Sequence, residues 1–194
     1  MFSILNKIFS MNNQRENNLE IGLNWHEDFI LSLAKILRPN VYVELGLYQC
    51  KLFNSIEPFA NNLYGVDIMP DIGSKYMIKS KKAKFFHGKT EEFLSEVQSS
   101  QLNIDLLFID ADHSKGAVKA DFENFFPYVK DDGIILLHDA YPENEEFTAS
   151  GYCGDGYKAI EELAKNIDTY EMMTIPIPPG LSICRKRKKQ VKWE

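Results

Sequence analysis

Acidic residues at the ends of two consecutive predicted strands constrain the fold of this chain more than any other feature. The first strand, Val41 to Leu45, contains Glu44 and runs directly into Gly46. The next apolar run, Leu63 to Val66, ends in Asp67. In doubly wound α/β folds, a glycine and an acidic residue at these positions line the crevice that holds an adenosine-containing ligand. The pattern therefore predicts a parallel sheet whose carboxyl edge binds a nucleoside.

Apolar runs alternate with amphipathic stretches along the rest of the chain. A leading helix is predicted over Trp25 to Leu37, where apolar residues recur at helical spacing. Further strands and a closing hairpin are predicted over Lys84 to His87, Ile104 to Ile109, Gly133 to His138, Glu171 to Ile177 and Leu181 to Arg185. The loop Tyr141 to Gly156 has a length typical of binding loops and lids. This alternation indicates an α/β, Rossmann-like, doubly wound sheet that is mostly parallel.

Length and composition favour one domain. The chain has 194 residues, 44% of them hydrophobic, which is enough to cover both faces of one sheet. We predict the domain over residues 25–185, between an N-terminal arm and linker at 1–24 and a basic tail at 186–194. The apolar start of the arm, Met1 to Phe9, is too short to span a bilayer and favours docking onto the domain or onto a second subunit of a homodimer.

Charge and cysteine content exclude several classes of protein. A net charge of -6 argues against general binding to nucleic acid, because phosphate neutralisation requires clustered positive charge. The three cysteines have no metal-binding or disulfide spacing, which favours a reducing, cytoplasmic environment. The predicted helix after the fourth strand carries Lys115, Lys119 and Asp121, which are expected on its solvated face, and His26 is expected on the surface of the leading helix.

Ionisable side chains also gather at two later strand ends. Asp110, Asp112 and His113 follow the fourth strand, and His138 and Asp139 end the fifth. Parallel strands present their carboxyl ends at one edge, so these groups are expected to face a substrate crevice.

The motifs at these strand ends resemble those of class I S-adenosylmethionine-dependent methyltransferases, over roughly Trp25 to Arg185. The resemblance is strongest to the small-molecule O-methyltransferases, which include the catechol type and the sugar enzymes of macrolide and aminocoumarin pathways. It implies seven strands with the last antiparallel, S-adenosylmethionine as cofactor, and O-methylation of a small-molecule or glycan hydroxyl.

The resemblance also implies roles for individual residues in cofactor binding. Glu44 and Gly46 match the positions beside the methionine part of the cofactor. Asp67 matches the acid that accepts hydrogen bonds from the ribose hydroxyls, Gly88 begins the segment against the adenine, and Asp110 belongs to the same cofactor-binding set.

Metal and catalytic roles are implied in the same way. In the metal-dependent relatives the acids matching Asp110 and Asp139 bind Mg²⁺, and the acid matching Asp112 is the general base. His113 is a second candidate for proton transfer. Metal dependence stays open, because Ala140 occupies the place where the family often has a further acid or amide.

Two departures from the family pattern keep other functions open. The pattern Glu-x-Gly-x-x-x-Gly ends here in Cys50, and together with Ala140 this leaves a non-catalytic binding module with the same fold as an alternative. A role associated with hydroxylation also stays open, because a branch linked to cephalosporin biosynthesis has a similar metal site. A nicotinamide enzyme is disfavoured because the first βα turn lacks G-x-G-x-x-G. A base methyltransferase is disfavoured because Asp110 begins no Asp-Pro-Pro-aromatic motif.

Overall fold

The computed structural model describes residues 24–187. The predicted arm and linker, apart from residue 24, and residues 188–194 of the predicted tail lie outside this range. The described chain forms seven strands: β1 (Val41–Leu45), β2 (Asn62–Asp67), β3 (Ala83–His87), β4 (Ile104–Ile109), β5 (Val129–His138), β6 (Tyr170–Ile175) and β7 (Leu181–Lys186). Its α-helices are α1 (Trp25–Leu37), α2 (Lys51–Ile56), α3 (Ile72–Lys75), α4 (Thr90–Ser99), α5 (Lys115–Phe125) and α6 (Tyr157–Leu163). Short 3₁₀ helices lie at Glu57–Phe59, Phe126–Tyr128 and Glu145–Thr148.

The strands form one sheet in the order β3-β2-β1-β4-β5-β7-β6. Strands β1 to β5 pair in parallel, and β7 runs antiparallel to both β5 and β6. The predicted Rossmann-like sheet with an antiparallel last strand is therefore confirmed. The chain leaves β1 towards β2 and β3, and later fills the other side through β4 and β5. The topological switch point, where such folds bind ligands, therefore lies between the carboxyl ends of β1 and β4.

Strand β5 begins well before the residue that the sequence predicts, whereas β2, β3 and β6 each begin one residue early. β5 starts at Val129, four residues before the predicted Gly133, and its pairing with β4 shifts register between Ile104 and Leu106. The extra residues include Asp131 and Asp132, which are exposed. Because these residues are polar, hydrophobic periodicity does not indicate a strand there, although their backbone is part of β5.

Helices cover both faces of the sheet, as its apolar strands require. On one face, Phe93 of α4 and Phe122 and Phe125 of α5 pack against the alternate strand residues. On the other face, Ile30 of α1 and Phe53 of α2 pack against Tyr42, Leu106 and neighbouring residues. Among residues 24–187 no helix has the length and apolar character needed to cross a bilayer.

The start of α1 is fixed beside the carboxyl edge of the sheet. The Trp25 indole N–H donates to the carbonyl oxygens of Ile177 and Pro178, in the turn between β6 and β7, at 3.2 and 3.1 Å. This contact places the first turn of α1 over the end of β5.

Candidate active site

Gly46 allows the chain to turn where β1 and β4 meet. It has φ +88°, and a Cβ atom there would lie 2.1 Å from the backbone oxygen of Asp110. The backbone N–H of Asp110 donates to the carbonyl of Leu45 at 2.8 Å, which holds the two strand ends together. No side chain fits between these backbones, so the switch point remains open to a ligand.

Gly46→Ala should therefore destabilise the fold. We expect the free energy of unfolding to fall by more than about 2 kcal/mol, because left-handed backbone alone costs roughly 1–2 kcal/mol for a residue with a Cβ atom and the overlap with Asp110 adds to it. Gly116→Ala is the matched control, since its new Cβ atom meets nothing within 4 Å. Denaturant unfolding of both variants checks the prediction, and equal stability of the two would contradict it.

Asp67 lies at the floor of a first cavity, of about 810 Å³. Its two carboxylate oxygens accept hydrogen bonds from the backbone N–H groups of Leu47, at 3.0 Å, and Met69, at 2.8 Å. These bonds orient the carboxylate at the end of β2. The first cavity is also lined by Gly46, Gly88, Asp112 and Asp121. Three of the five predicted cofactor residues, Gly46, Asp67 and Gly88, therefore line one cavity.

The other two predicted cofactor residues, Glu44 and Asp110, line a second cavity of about 1010 Å³. Glu44 is 3% exposed and accepts a hydrogen bond from the Tyr42 hydroxyl at 2.5 Å. Burial raises the pKa of Glu44 well above its usual value. Gly46, Asp67, Ala111, His113 and Gly151 line both cavities, so the two meet at the switch point.

Cys50 occupies the place of the family's second glycine without entering either cavity. Its φ is +56°, the left-handed conformation that explains a glycine at this position. The side chain is fully buried in the core with Phe53 and Leu63. Burial raises the pKa of the thiol to about 12, so Cys50 is an unreactive core residue.

Asp110, His113 and Asp139 form the charged centre of the site. The Nδ1 atom of His113 lies 2.8 Å from Asp139 Oδ2, and its Nε2 atom lies 3.6 Å from Asp110 Oδ1. One ligand atom from each residue can be chosen so that all three lie within 4.8 Å of one another. The hydrogen bond to Asp139 raises the pKa of His113 to about 9. Burial would raise the pKa of Asp139, but the hydrogen bond from His113 and the charge of His138 outweigh burial and lower it.

This donor set fits a divalent cation. Two carboxylates and one imidazole, converging from the ends of β4 and β5, supply the oxygen and nitrogen ligands that such ions accept. Ala140, where relatives often have a further acid or amide, supplies no side-chain ligand, and its N–H lies 3.3 Å from the carbonyl oxygen of Gly180.

His138 lies behind the cluster and orients Asp110. Its Nδ1 atom is 2.8 Å from Asp110 Oδ1. Burial would lower the pKa of His138, but the charge and hydrogen bond of Asp110 outweigh it and raise the pKa. Its buried Nε2 atom has no hydrogen-bond partner among the described residues.

The ring of His26 packs on His138, with centroids 3.9 Å apart. His26 is 6% exposed, so the expectation of a surface position on α1 is wrong. Its spacing to Ile30 and Ala34, at four and eight residues, places it on the buried face of α1 and could have revealed this.

Asp112 is not part of the charged centre. It lines the first cavity but not the second, and its Oδ1 atom accepts a hydrogen bond from the backbone N–H of Ser114 at 2.8 Å. Hydrogen bonds from Ser114 lower the pKa of Asp112. The structure therefore brings together Asp110, His113 and Asp139 but separates Asp112 from them.

Asp121 is a residue of the site that the sequence analysis missed. It was expected on a solvated helix face, but it is 4% exposed and lines the first cavity. The Thr90 hydroxyl donates to its Oδ1 atom at 2.5 Å. The signal was available, since Asp121 follows Val118 by three residues and precedes Phe125 by four, on the buried face of α5.

The predicted loop Tyr141 to Gly156 closes over this edge of the sheet. The carbonyl of Tyr152 lies 2.6 Å from His113 Nδ1, and the N–H of Gly156 donates to the carbonyl of His113 at 2.8 Å. Asp155 accepts from the N–H of Lys115 at 2.7 Å. These bonds join the loop to the turn after β4, and Gly151 lines both cavities.

Comparison with known proteins identifies the family and the fold. A family model described as a methyltransferase domain matches residues 29–140. The protein R132 of Acanthamoeba polyphaga mimivirus is 25% identical over 140 residues, which span 64% of this chain and 63% of that protein. Among solved structures, an O-methyltransferase from Bacillus cereus in complex with S-adenosylhomocysteine has a TM-score of 0.70 at 14% identity, covering 84% of this chain and 80% of its own.

A second structural neighbour is the O-methyltransferase TomG from Streptomyces achromogenes, in complex with S-adenosylmethionine. It has a TM-score of 0.68 at 10% identity and covers 84% of this chain and 80% of its own. At these identities the two structures establish the shared fold. The chain spans about 63% of the length of the curated relative that it matches. Because the family model matches more than half of the chain, the protein belongs to the methyltransferase domain family.

Proposed function

We propose that this protein transfers the methyl group of S-adenosylmethionine to a hydroxyl of a small molecule or glycan, with a divalent cation bound beside the acceptor. The observation that carries the proposal is the cluster of Asp110, His113 and Asp139, which lines the second cavity, with His113 at the place where that cavity meets a nucleoside-sized first cavity.

The first cavity is proposed as the cofactor site. A ribose has two vicinal hydroxyls, and the Asp67 carboxylate, held by two backbone N–H groups, has lone pairs left to accept from them. Gly46 leaves its backbone exposed at the end of β1, where the methionine part would lie. Because the cavities meet at Gly46 and His113, a methyl group held there would face the second cavity.

The second cavity is proposed as the acceptor site. Its acidic side chains, Glu27, Asp71, Asp110 and Asp139 among them, outnumber the lysines Lys51 and Lys75. His113 and His138, whose pKa values are raised, and a bound divalent cation would offset this negative charge, so the lining does not select against an anionic acceptor. The exposed rings of Tyr48 and Tyr152 stand at its wall, where they can stack on a sugar or phenol ring.

Asp110, His113 and Asp139 are proposed to hold the cation, with Asp110 oriented by His138. A bound divalent cation lowers the pKa of a coordinated hydroxyl and so makes it a better nucleophile. The chain's own contribution is to fix the ligands and exclude bulk water. The carbonyl oxygen of the loop residue Tyr152 and the Asp139 carboxylate both contact His113 Nδ1, and together they orient its ring.

The family resemblance implies Asp112 as general base, whereas its position outside the charged centre argues against that role, and Asp112→Asn decides between the two. We expect turnover to fall less than about fivefold, because general-base catalysis is worth 10²–10⁴-fold and the lowered pKa of Asp112 makes it a weak base. Single-turnover methyl transfer to an identified acceptor checks this. A loss of 100-fold or more with unchanged cofactor affinity would instead establish Asp112 as the base.

The proposed reaction can be tested with radiolabelled S-adenosylmethionine and a panel of neutral catechols, phenols and glycosides. We expect label to pass to an acceptor with two neighbouring oxygen atoms, and transfer to fall when EDTA removes divalent ions. Transfer only to nucleic acid or protein would contradict the proposed acceptor class.

A further inference from the structure

We propose that Asp121 recognises the exocyclic amino group of the cofactor's adenine and thereby sets the base specificity of the first cavity. The inference rests on the proposed function, because it takes the first cavity as the site of S-adenosylmethionine. It gives helix α5 a role in cofactor selection, in addition to the roles of the motifs at the strand ends.

The position of Asp121 follows from the geometry of the first cavity. Asp67 ends β2 and is placed to bind the ribose, so the base extends towards the next strand, β3, and the start of α4. Gly88, Lys89 and Thr90 form that wall. Asp121 enters the same wall from α5, four residues after Ala117, which lines the cavity from the same helix face.

The surroundings of Asp121 leave its carboxylate short of donors. Its one hydrogen-bond partner among residues 24–187 is the Thr90 hydroxyl. An ionised carboxylate offers about four acceptor positions, and burying one with few donors is costly. Burial raises the pKa of Asp121 to about 6, so near pH 7.5 the group is mostly ionised and acts only as an acceptor.

Adenine supplies the missing donor. Its exocyclic amino group carries two N–H bonds, and hypoxanthine has a carbonyl oxygen at the same place. A buried carboxylate therefore attracts adenine and repels hypoxanthine. The small side chains of Ala111 and Ala117 and the edge of Val66 leave room for a flat base in this cavity.

A purely structural role for Asp121 would be to join α5 to α4 through Thr90. The ratio of two ligand affinities distinguishes this structural role from base recognition, because loosening the helix pair would weaken the binding of both ligands equally. The ligands are S-adenosylhomocysteine and its analogue with hypoxanthine in place of adenine. We expect the wild-type protein to bind the adenine form more tightly, by about 30-fold or more. This ratio corresponds to one hydrogen bond to a charged group, together with repulsion between the carboxylate and the hypoxanthine oxygen.

Asp121→Asn should reduce this preference by about tenfold or more, because the amide can donate to the hypoxanthine oxygen. Glu123→Gln is the matched control, since Glu123 is exposed on the same helix and should leave the ratio unchanged. Calorimetric titration at pH 7.5 measures both ligands.

Equal affinities in the wild-type protein, or a ratio unchanged in Asp121→Asn, would overturn the role of Asp121 while leaving the proposed function intact. No binding of either ligand to the wild-type protein would overturn both. If the variant does not fold, equal affinities in the wild-type protein would still overturn the role of Asp121.

Discussion

Replacing Asp67 with alanine is expected to lower the affinity for S-adenosylhomocysteine by about 100-fold or more. Each hydrogen bond to a charged group contributes roughly 1.5–3 kcal/mol, and the ribose hydroxyls would lose both of theirs. The carboxylate is also held by the N–H groups of Leu47 and Met69, so its loss loosens the turns that shape the first cavity. Calorimetric titration of the ligand into both proteins measures the change.

Two further variants isolate the contribution of the carboxylate. Asp67→Asn keeps one acceptor oxygen and should fall between wild type and Asp67→Ala. Asp131→Asn removes an exposed carboxylate on β5, outside both cavities, and should bind like the wild type. An Asp67→Ala protein that folds and binds within threefold of the wild type would show that the nucleoside binds elsewhere.

Asp139→Asn is expected to weaken divalent cation binding by at least about 100-fold. Loss of a residue that merely orients a ligand typically costs 10–100-fold in metal affinity, and Asp139 is proposed as a ligand itself. Asparagine is chosen because Asp139 has φ +54°, a conformation that asparagine tolerates better than most residues. Electron paramagnetic resonance of free Mn²⁺ during a titration measures binding without reference to turnover.

Asp112→Asn is the control for that titration. It removes a carboxylate that directly precedes His113 in the sequence but lies outside the charged centre, so Mn²⁺ affinity should stay within about twofold of the wild type, as for a change that breaks no ligand contact. Equal weakening in Asp112→Asn and Asp139→Asn would argue for a general charge effect. Wild-type affinity in Asp139→Asn would remove Asp139 from the cation site.

The sequence predicts the strand ends well because the sheet itself positions them. Gly46, Asp67 and Asp110 each follow an apolar run, and parallel pairing brings the ends of such runs to one edge. Backbone topology therefore suffices to place them near one another, without knowledge of side-chain conformation. Cys50 illustrates the same point. The family pattern has a glycine at this position, and the backbone keeps the left-handed conformation although cysteine replaces the glycine.

Residues contributed by helices are harder to predict. His26 and Asp121 are polar, so a reading that sorts residues by polarity assigns them to the surface. Both lie on the buried face of their helix, and each lines a cavity of the site. The separation of Asp112 from Asp110 has another cause. The backbone turns into α5 at Ser114, and a hydrogen bond from the N–H of Ser114 holds the Asp112 side chain on the first-cavity side.

The most direct test of the account is a calorimetric titration of S-adenosylhomocysteine into the wild-type protein, first with EDTA and then with excess Mg²⁺. The account predicts binding of one ligand per chain in both buffers, because Asp67 and the first cavity hold the nucleoside without the cation. No binding in either buffer would contradict the assignment of the first cavity to the cofactor and favour a methyltransferase fold that serves only as a binding module.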